Sequence, residues 1–252
     1  MKQFIAEIIR AAGQETLKFF GKVGVKYTKR NPADVVTEAD LLANQILVES
    51  IREAYPNHGI ISEETGEERV TSEYVWYIDP LDGTRNYSTR TPFFCTMVGL
   101  ARNGEMILSA VYDPSHDELF LAEKGQGAFL NGERVQCAQT REFEHSFGTF
   151  HSNWHKERGH VIQSLLNEAQ KQSFWISITA SHGLTLTSVA CGRRDWGFSL
   201  DCQIWDIAAP SLILREAGCS VLNLQGEEWS LGERSFVTAN PALLPKLLEL
   251  TR

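Results

Sequence analysis

Ile78-Asp79-Pro80-Leu81-Asp82-Gly83-Thr84-Arg85-Asn86-Tyr87 is the stretch from which the rest of the chain is best read. Two aspartates end an apolar strand and sit three positions apart around a proline. Pro80 fixes its own φ and biases Asp79 towards an extended shape, so the turn is stiff. Gly83 lets a ligand approach the backbone closely. A helix starting at Thr84 would leave the N–H groups of Gly83 and Thr84 pointing outward, able to hold a phosphate oxygen. Two close carboxylates repel unless a cation lies between them. Oxygen-only ligands select Mg2+, Mn2+ or Ca2+ over zinc. On these ten residues alone, a plain turn built from Asp, Pro and Gly fits equally well.

Outward from this stretch, the chain alternates helical and extended patterns. The N-terminus, MKQFIAEIIRAAGQETLKFF, spaces Phe4, Ile5, Ile8, Ile9, Ala12 and Leu17 as an amphipathic helix. A second helix is predicted after Thr37, which caps it, with Asp40 in its first turn and its end at Pro56-Asn57. GIIS is a short strand leading into Glu63-Glu64, TGEERVTSE reads as a loop, and YVWYID is a strand. Asn103-Gly104 and Asn131-Gly132 signal hairpin turns. The polar segment REFEHSFGTFHSNWHKERGH marks the junction of two lobes, about 1–143 and 144–252, within a single domain. The C-terminal half reads as alternating helices and strands, ending in strand CSVLNL and helix PALLPKLLEL. Interleaved helices and mixed strands predict a layered α/β sandwich of two lobes.

Two further acidic positions bear on the first. Glu63 follows a short apolar strand, and Asp206 in Ile204-Trp205-Asp206-Ile207-Ala208-Ala209 begins an apolar helix. Singly, each is better read as a solvated acid or a helix cap. Together the motifs carry a resemblance. IDPLDGTRNY closely resembles the DP-[IL]-DGT-x-N-[FY] signature of the inositol monophosphatase family, and WDIAA its WD-x-A[AG] signature. Glu63-Glu64 falls where that family has its Glu-Glu pair, and NPADVVTEAD is similar to its S-P-x-D-x-V-T-x-x-D segment. The order and spacing agree over essentially the whole chain.

The resemblance implies an α+β fold, a layered α-β-α-β-α sandwich, and a Mg2+-dependent phosphatase acting on a small phosphorylated metabolite by metal-activated water. It implies that Glu63, Asp79, Asp82, Asp206 and the Leu81 carbonyl hold two or three Mg2+ ions, with Mn2+ able to substitute. Thr84 backed by Asp40 would activate the water, with Glu63 as a further proton acceptor. Gly83, Thr84 and Lys29 would face the phosphate, and Asp206, Ser181, His182 and Ser199 the rest of the substrate. Two of these depart from the family: Ser199 stands where inositol-selective members carry a glutamate, and Ser181-His182-Gly183 replaces a Gly-Thr/Ser-Ala loop. Inositol monophosphate or a similar polyol phosphate is the first expectation. A 3',5'-bisphosphate nucleotidase, a fructose-1,6-bisphosphatase, a histidinol-phosphatase and a non-catalytic regulatory protein on the same fold remain open. Family members are commonly homodimers.

Bulk composition agrees with such a reading. The 252 residues are 42% hydrophobic and carry a net charge of -8, which argues against a uniformly basic nucleic-acid surface. No stretch has the length of a bilayer span or the apolar centre of a signal peptide, so a cytoplasmic protein is expected. The five cysteines, Cys95, Cys137, Cys191, Cys202 and Cys219, never form a CxxC pair and read as reduced core thiols. His145, His151, His155 and His160 cluster in the polar junction and read as a solvated loop rather than a zinc site.

Overall fold

The computed structural model describes residues 1–22, 25–28, 35–152 and 159–251. Lys29, the Asn31-Pro32-Ala33-Asp34 part of the N-terminal motif, and His155 lie outside the described residues. The first helix, α1 (Lys2–Phe19), buries Ile5, Ile8, Ile9 and Ala12 on one stripe, as its spacing predicts. A two-stranded ribbon, β1 (Val25–Thr28) and β2 (Val35–Thr37), leads into α2 (Glu38–Ala54). Thr37 caps α2 in a capping box with Asp40, so a single carboxylate fixes the start of this helix.

Strands β3 (Gly59–Ser62), β4 (Gly66–Glu68), β5 (Tyr74–Asp82), β6 (Cys95–Arg102), β7 (Glu105–Asp113), β8 (Glu118–Glu123), β9 (Gly127–Leu130) and β10 (Glu133–Val135) form an eight-stranded sheet in the order β10-β9-β8-β7-β6-β5-β3-β4. Both Asn-Gly pairs are two-residue hairpin loops with positive φ at both positions, at 50° and 78° and at 49° and 89°. That backbone twist matches the flanking strands, and it is the reason for the Asn-Gly preference. TGEERVTSE is not wholly a loop, because its Gly66–Glu68 pairs with β3 as an edge strand. The edge is largely exposed and lacks apolar alternation, so nothing in its composition announces pairing.

Between β5 and β6 lies the short helix α3 (Thr84–Ser88). The second sheet contains β11 (Phe147–Ser152), β12 (Trp175–Ser177), β13 (Trp196–Leu200), β14 (Ser220–Leu222) and β15 (Phe236–Ala239), ordered β12-β11-β13-β15-β14. Its helices are α4 (Gly159–Ala169), α5 (His182–Ala190), α6 (Ile204–Glu216) and α7 (Leu244–Glu249). The polar junction segment therefore contains a strand of this sheet, β11, paired in parallel with both β12 and β13. The strand β15 escapes the sequence reading altogether.

Three apolar clusters define the layers. Helices α1 and α2 pack on one face of the large sheet through Trp76, Ile78, Val98 and Leu100. The other face, with Met97, Val111 and Phe120, packs on α5 and α6, which also meet Val221 and Phe236 of the second sheet. Helices α4 and α7 cover that sheet's far side through Val161, Leu165, Leu244 and Leu247. The result is the expected five-layered α-β-α-β-α sandwich. Each fully buried Ile or Leu, such as Ile9 or Leu47, contributes about 1.5–3 kcal/mol.

An ion pair ties the two outer helices together. Glu168 of α4 is buried and accepts from Lys246 of α7 at 2.7 Å and from Lys171 at 3.2 Å. The Lys246 hydrogen bond is the main cause that lowers the Glu168 carboxyl to about 2. Its folded pKa lies below the ordinary value, so the stabilisation is present above about pH 4.5 and is lost as pH falls towards 2. Lys246→Met is expected to cost about 1–2 kcal/mol at pH 7. The gap from the wild type should close on acidification. Urea unfolding of both proteins at pH 7 and pH 3 measures it, and a gap that ignores pH would contradict this origin.

Candidate active site

The two aspartates of the opening stretch are brought to one side by an irregularity in β5. Asp79 pairs with Met97 and Asp82 with Cys95, so three steps on β5 face two on β6. Side chains alternate along a strand, and residues three apart would normally face opposite ways. The extra residue at Pro80-Leu81 turns that odd offset into an even one. Proline suits the place, because it has no N–H to donate to a ladder. The stretch is thus a bulged strand end, a tighter device than the stiff turn predicted.

Strand β3 runs parallel to β5, with Ser62 beside Ile78, and Glu63 follows at its end. The Glu63 N–H donates to the Ile78 carbonyl at 3.2 Å. Burial drives the Asp79 carboxyl well above its ordinary pKa, and the charges of Glu63, Asp82 and Asp206 push it further. Asp206 lies in the first turn of α6, buried, where burial also raises its carboxyl; one oxygen accepts from the Gln203 N–H at 2.8 Å. Glu63 and Asp206, distant in sequence, therefore join Asp79 and Asp82 in one acidic cluster. The donors are all oxygens, and their mutual repulsion is the condition a hard divalent cation relieves, so the set fits Mg2+. The Leu81 carbonyl accepts from the Thr84 hydroxyl at 2.9 Å, while its N–H donates to Asp79 at 3.1 Å.

Asp82 is held from the opposite side by the start of α5. The N–H groups of His182 and Gly183 donate to its two oxygens at 2.9 and 2.8 Å, and the Ser181 hydroxyl donates to it as well. Burial would raise this carboxyl, but His182, Ser181 and the backbone donors outweigh it and hold the group below its usual range. Oδ1, which accepts only the His182 N–H, keeps a lone pair for a cation, whereas Oδ2 is taken up by Ser181 and Gly183. Ser181 is the N-cap of α5, so the helix that caps itself on Ser181 also fixes Asp82.

Gly83 is the N-cap of α3 with φ +89°, and a Cβ there would lie 2.9 Å from the Phe93 carbonyl oxygen and 3.3 Å from Ser181. Only glycine fits. Thr84 opens α3, and its hydroxyl lies 3.1 Å from Asp40 as well as 2.9 Å from the Leu81 oxygen. Burial raises Asp40 to about 6, against its hydrogen bonds from Thr37. Asn86 donates to Phe93 of the α3–β6 connection, at 2.8 Å, and to Thr179, at 2.7 Å, which fastens α3 to the β12–α5 loop. Its positioning role was not read from the sequence.

The candidates for the rest of the substrate lie on β13 of the second sheet and at the starts of α5 and α6. Ser199 of β13 is buried, with its hydroxyl 3.1 Å from the Cys202 sulfur. Its near neighbour Asp201 forms an ion pair with Arg234 at 3.2 Å. His182 is buried, and its Nε2 is 3.0 Å from Cys202 and 3.9 Å from Asp206. Burial opposes its charge, but Cys202, Asp206 and Asp82 prevail and raise its pKa well above normal. His151 sits on β11, its ring against that of His182, rather than in a solvated loop. His145 and His160, by contrast, are exposed. Pro210 lies in the second turn of α6 and removes the helical hydrogen bond to the Asp206 carbonyl.

This sandwich, with acidic residues gathered at the bulged end of a strand, has a match among known folds: the inositol monophosphatase family model covers residues 1–252, and the chain belongs to that family. It is 34% identical over 233 residues to Nus factor SuhB of Escherichia coli K12, covering 89% of this chain and 85% of that protein. An inositol monophosphatase from Dictyostelium discoideum is 30% identical over 256 residues, covering 98% and 93%. Among solved structures, the Thermotoga maritima IMPase superposes with a TM-score of 0.90 at 29% identity, covering 99% and 95%. Among the described residues, no helix is long and apolar enough to cross a membrane.

Proposed function

We propose that this protein hydrolyses a small phosphate monoester with Mg2+, inositol monophosphate or a similar polyol phosphate in the first place. One observation carries the reading: three carboxylates, Glu63, Asp82 and Asp206, crowd buried Asp79 and oppose its charge, with His182 alone acting the other way. Glu63, Asp79, Asp82, Asp206 and the Leu81 carbonyl would hold two or three Mg2+ ions, with Mn2+ as a substitute. Bound there, the ions would acidify water and neutralise charge on the phosphoryl group and the departing alkoxide.

The chain's own groups supply the rest. Water placed against the Thr84 hydroxyl passes it a proton as the Thr84 proton moves to Asp40, 3.1 Å away. Asp40, raised to about 6, is a base matched to near-neutral pH. Glu63 is a second acceptor. The Gly83 and Thr84 amides, with Lys29, hold phosphoryl oxygens. Asp206, Ser181, His182 and Ser199 contact the alcohol part, and the missing glutamate at Ser199 keeps nucleotide, fructose and histidinol phosphates in play. We take the chain as one phosphatase domain of two lobes, about 1–143 and 144–252, forming a cytoplasmic homodimer.

A phosphate-release screen tests this. Inositol monophosphate, a nucleoside 3',5'-bisphosphate, fructose 1,6-bisphosphate and histidinol phosphate are compared with Mg2+ and after exhaustive chelation. Release should require Mg2+ and be fastest on the inositol ester; release that survives chelation overturns the reading. A second reading draws on the Escherichia coli relative, whose name denotes a factor rather than a reaction. Under it, the fold serves as a binding protein.

A further inference from the structure

We infer that His151, His182 and Cys202 form a binding site for a borderline-soft divalent metal ion of the Zn2+ class, adjoining the acidic cleft and sharing Asp206 with it. The three side chains come from separate elements: the end of β11, the first turn of α5, and the loop between β13 and α6. They converge because β11 and β13 are parallel neighbours, with His151 beside Ser199, and both strands end where α5 and α6 begin. Ligand-competent atoms of all three lie within 4.8 Å of one another.

The spacing suits a tetrahedral ion. Zn–N and Zn–S bonds of ordinary length place neighbouring ligand atoms about 3.3–3.6 Å apart. His182 Nε2 stands 3.0 Å from the Cys202 sulfur and 3.9 Å from Asp206 Oδ2, so small rotations reach that geometry. Asp206, 3.9 Å from His182 Nε2 but not within 4.8 Å of all three ligand atoms, would rotate in as the fourth ligand. A nitrogen–sulfur donor set favours Zn2+ over the hard Mg2+ of the neighbouring cleft.

One further observation points to a ligand. His151 Nδ1 is buried and has no hydrogen-bond partner, a costly state that coordination would relieve. Outer partners are present as well. Asp82 Oδ1 lies 3.7 Å from His182 Nδ1, and the Ser199 hydroxyl lies 3.1 Å from the sulfur.

Binding displaces the thiol proton of Cys202, and any imidazolium proton, to solvent. Asp206 cannot serve both sites fully, so Zn2+ would inhibit Mg2+-dependent hydrolysis; this consequence rests on the phosphatase reading above.

Co2+ serves as the optical probe on the metal-free full-length protein. One equivalent should give a thiolate-to-cobalt charge-transfer band together with intense four-coordinate visible bands. Cobalt in the oxygen-only cleft would give weak bands and no sulfur transition. Cys202→Ser should lose the charge-transfer band, and His151→Asn should weaken Co2+ binding about tenfold or more. Both variants should keep Mg2+-supported phosphate release and need about tenfold more Zn2+ to be inhibited. Absence of the band in the wild type, or its persistence in Cys202→Ser, overturns the site. Binding without any Zn2+ inhibition overturns the sharing of Asp206. If no ester is hydrolysed at all, the phosphatase reading fails while the spectrum still decides the metal site.

Discussion

Asp79→Asn is expected to lower Mg2+-dependent phosphate release by about 10^2–10^4-fold and, at the same time, to stabilise the metal-free protein. The first effect follows from removing a charged oxygen ligand at the centre of the cleft. The second follows from the same charge's surroundings. Asp79 is buried among Glu63, Asp82 and Asp206, so its ionised form is disfavoured by desolvation and by repulsion. An amide keeps the shape without the charge, which should add about 1–3 kcal/mol under chelation near pH 7. With Mg2+ present the order reverses, because only the wild type gains from tight ion binding. Thermal unfolding with EDTA and with Mg2+, alongside the phosphate assay, reads both effects. A variant less stable in both conditions would mean that the carboxylates do not repel one another as described. A biological role that outlives hydrolysis in this variant would favour the binding-protein reading.

Thr84→Val should lower kcat about 10^2-fold or more, with KM and the Mg2+ requirement nearly unchanged. Valine is close in size and keeps the backbone N–H, so the α3 start and its amides persist. What disappears is the hydroxyl that bridges to Asp40 at 3.1 Å and to the Leu81 oxygen at 2.9 Å. Asp40 retains its bonds from Thr37, so its placement in α2 survives. Thr84→Ser restores the hydroxyl and should recover most of the rate. Steady-state kinetics of the three proteins settle the matter, and a valine variant as fast as the wild type would remove the proton path.

These effects rest on features that differ in how plainly the sequence announces them. The start of α2 at Thr37 and the two Asn-Gly hairpins are local, set by side-chain capping and by positive φ, and they are legible residue by residue. The acidic stretch around Asp79 is legible as chemistry, whereas its geometry is not, because the bulge is defined only against β6. The strand β11 is six residues long between polar flanks, and its burial comes from two parallel neighbours that no local window contains. Hence His151 looked solvated. The edge strand β4 is short and largely exposed, so loop and strand compositions coincide there. The meeting of His151, His182 and Cys202 depends on tertiary contacts alone.

The additional residue in β5 also constrains how this protein can change. Which way a strand residue faces is a matter of parity, and the bulge sets that parity for Asp82 relative to Asp79. Losing a single codon between them would leave an even offset and regular pairing, so both carboxylates would stay on one face, but the bulge that sets the Leu81 carbonyl against Thr84 would be gone. Core side chains along this strand can be exchanged for others of like size, whereas a change of length here displaces the backbone that leads into α3.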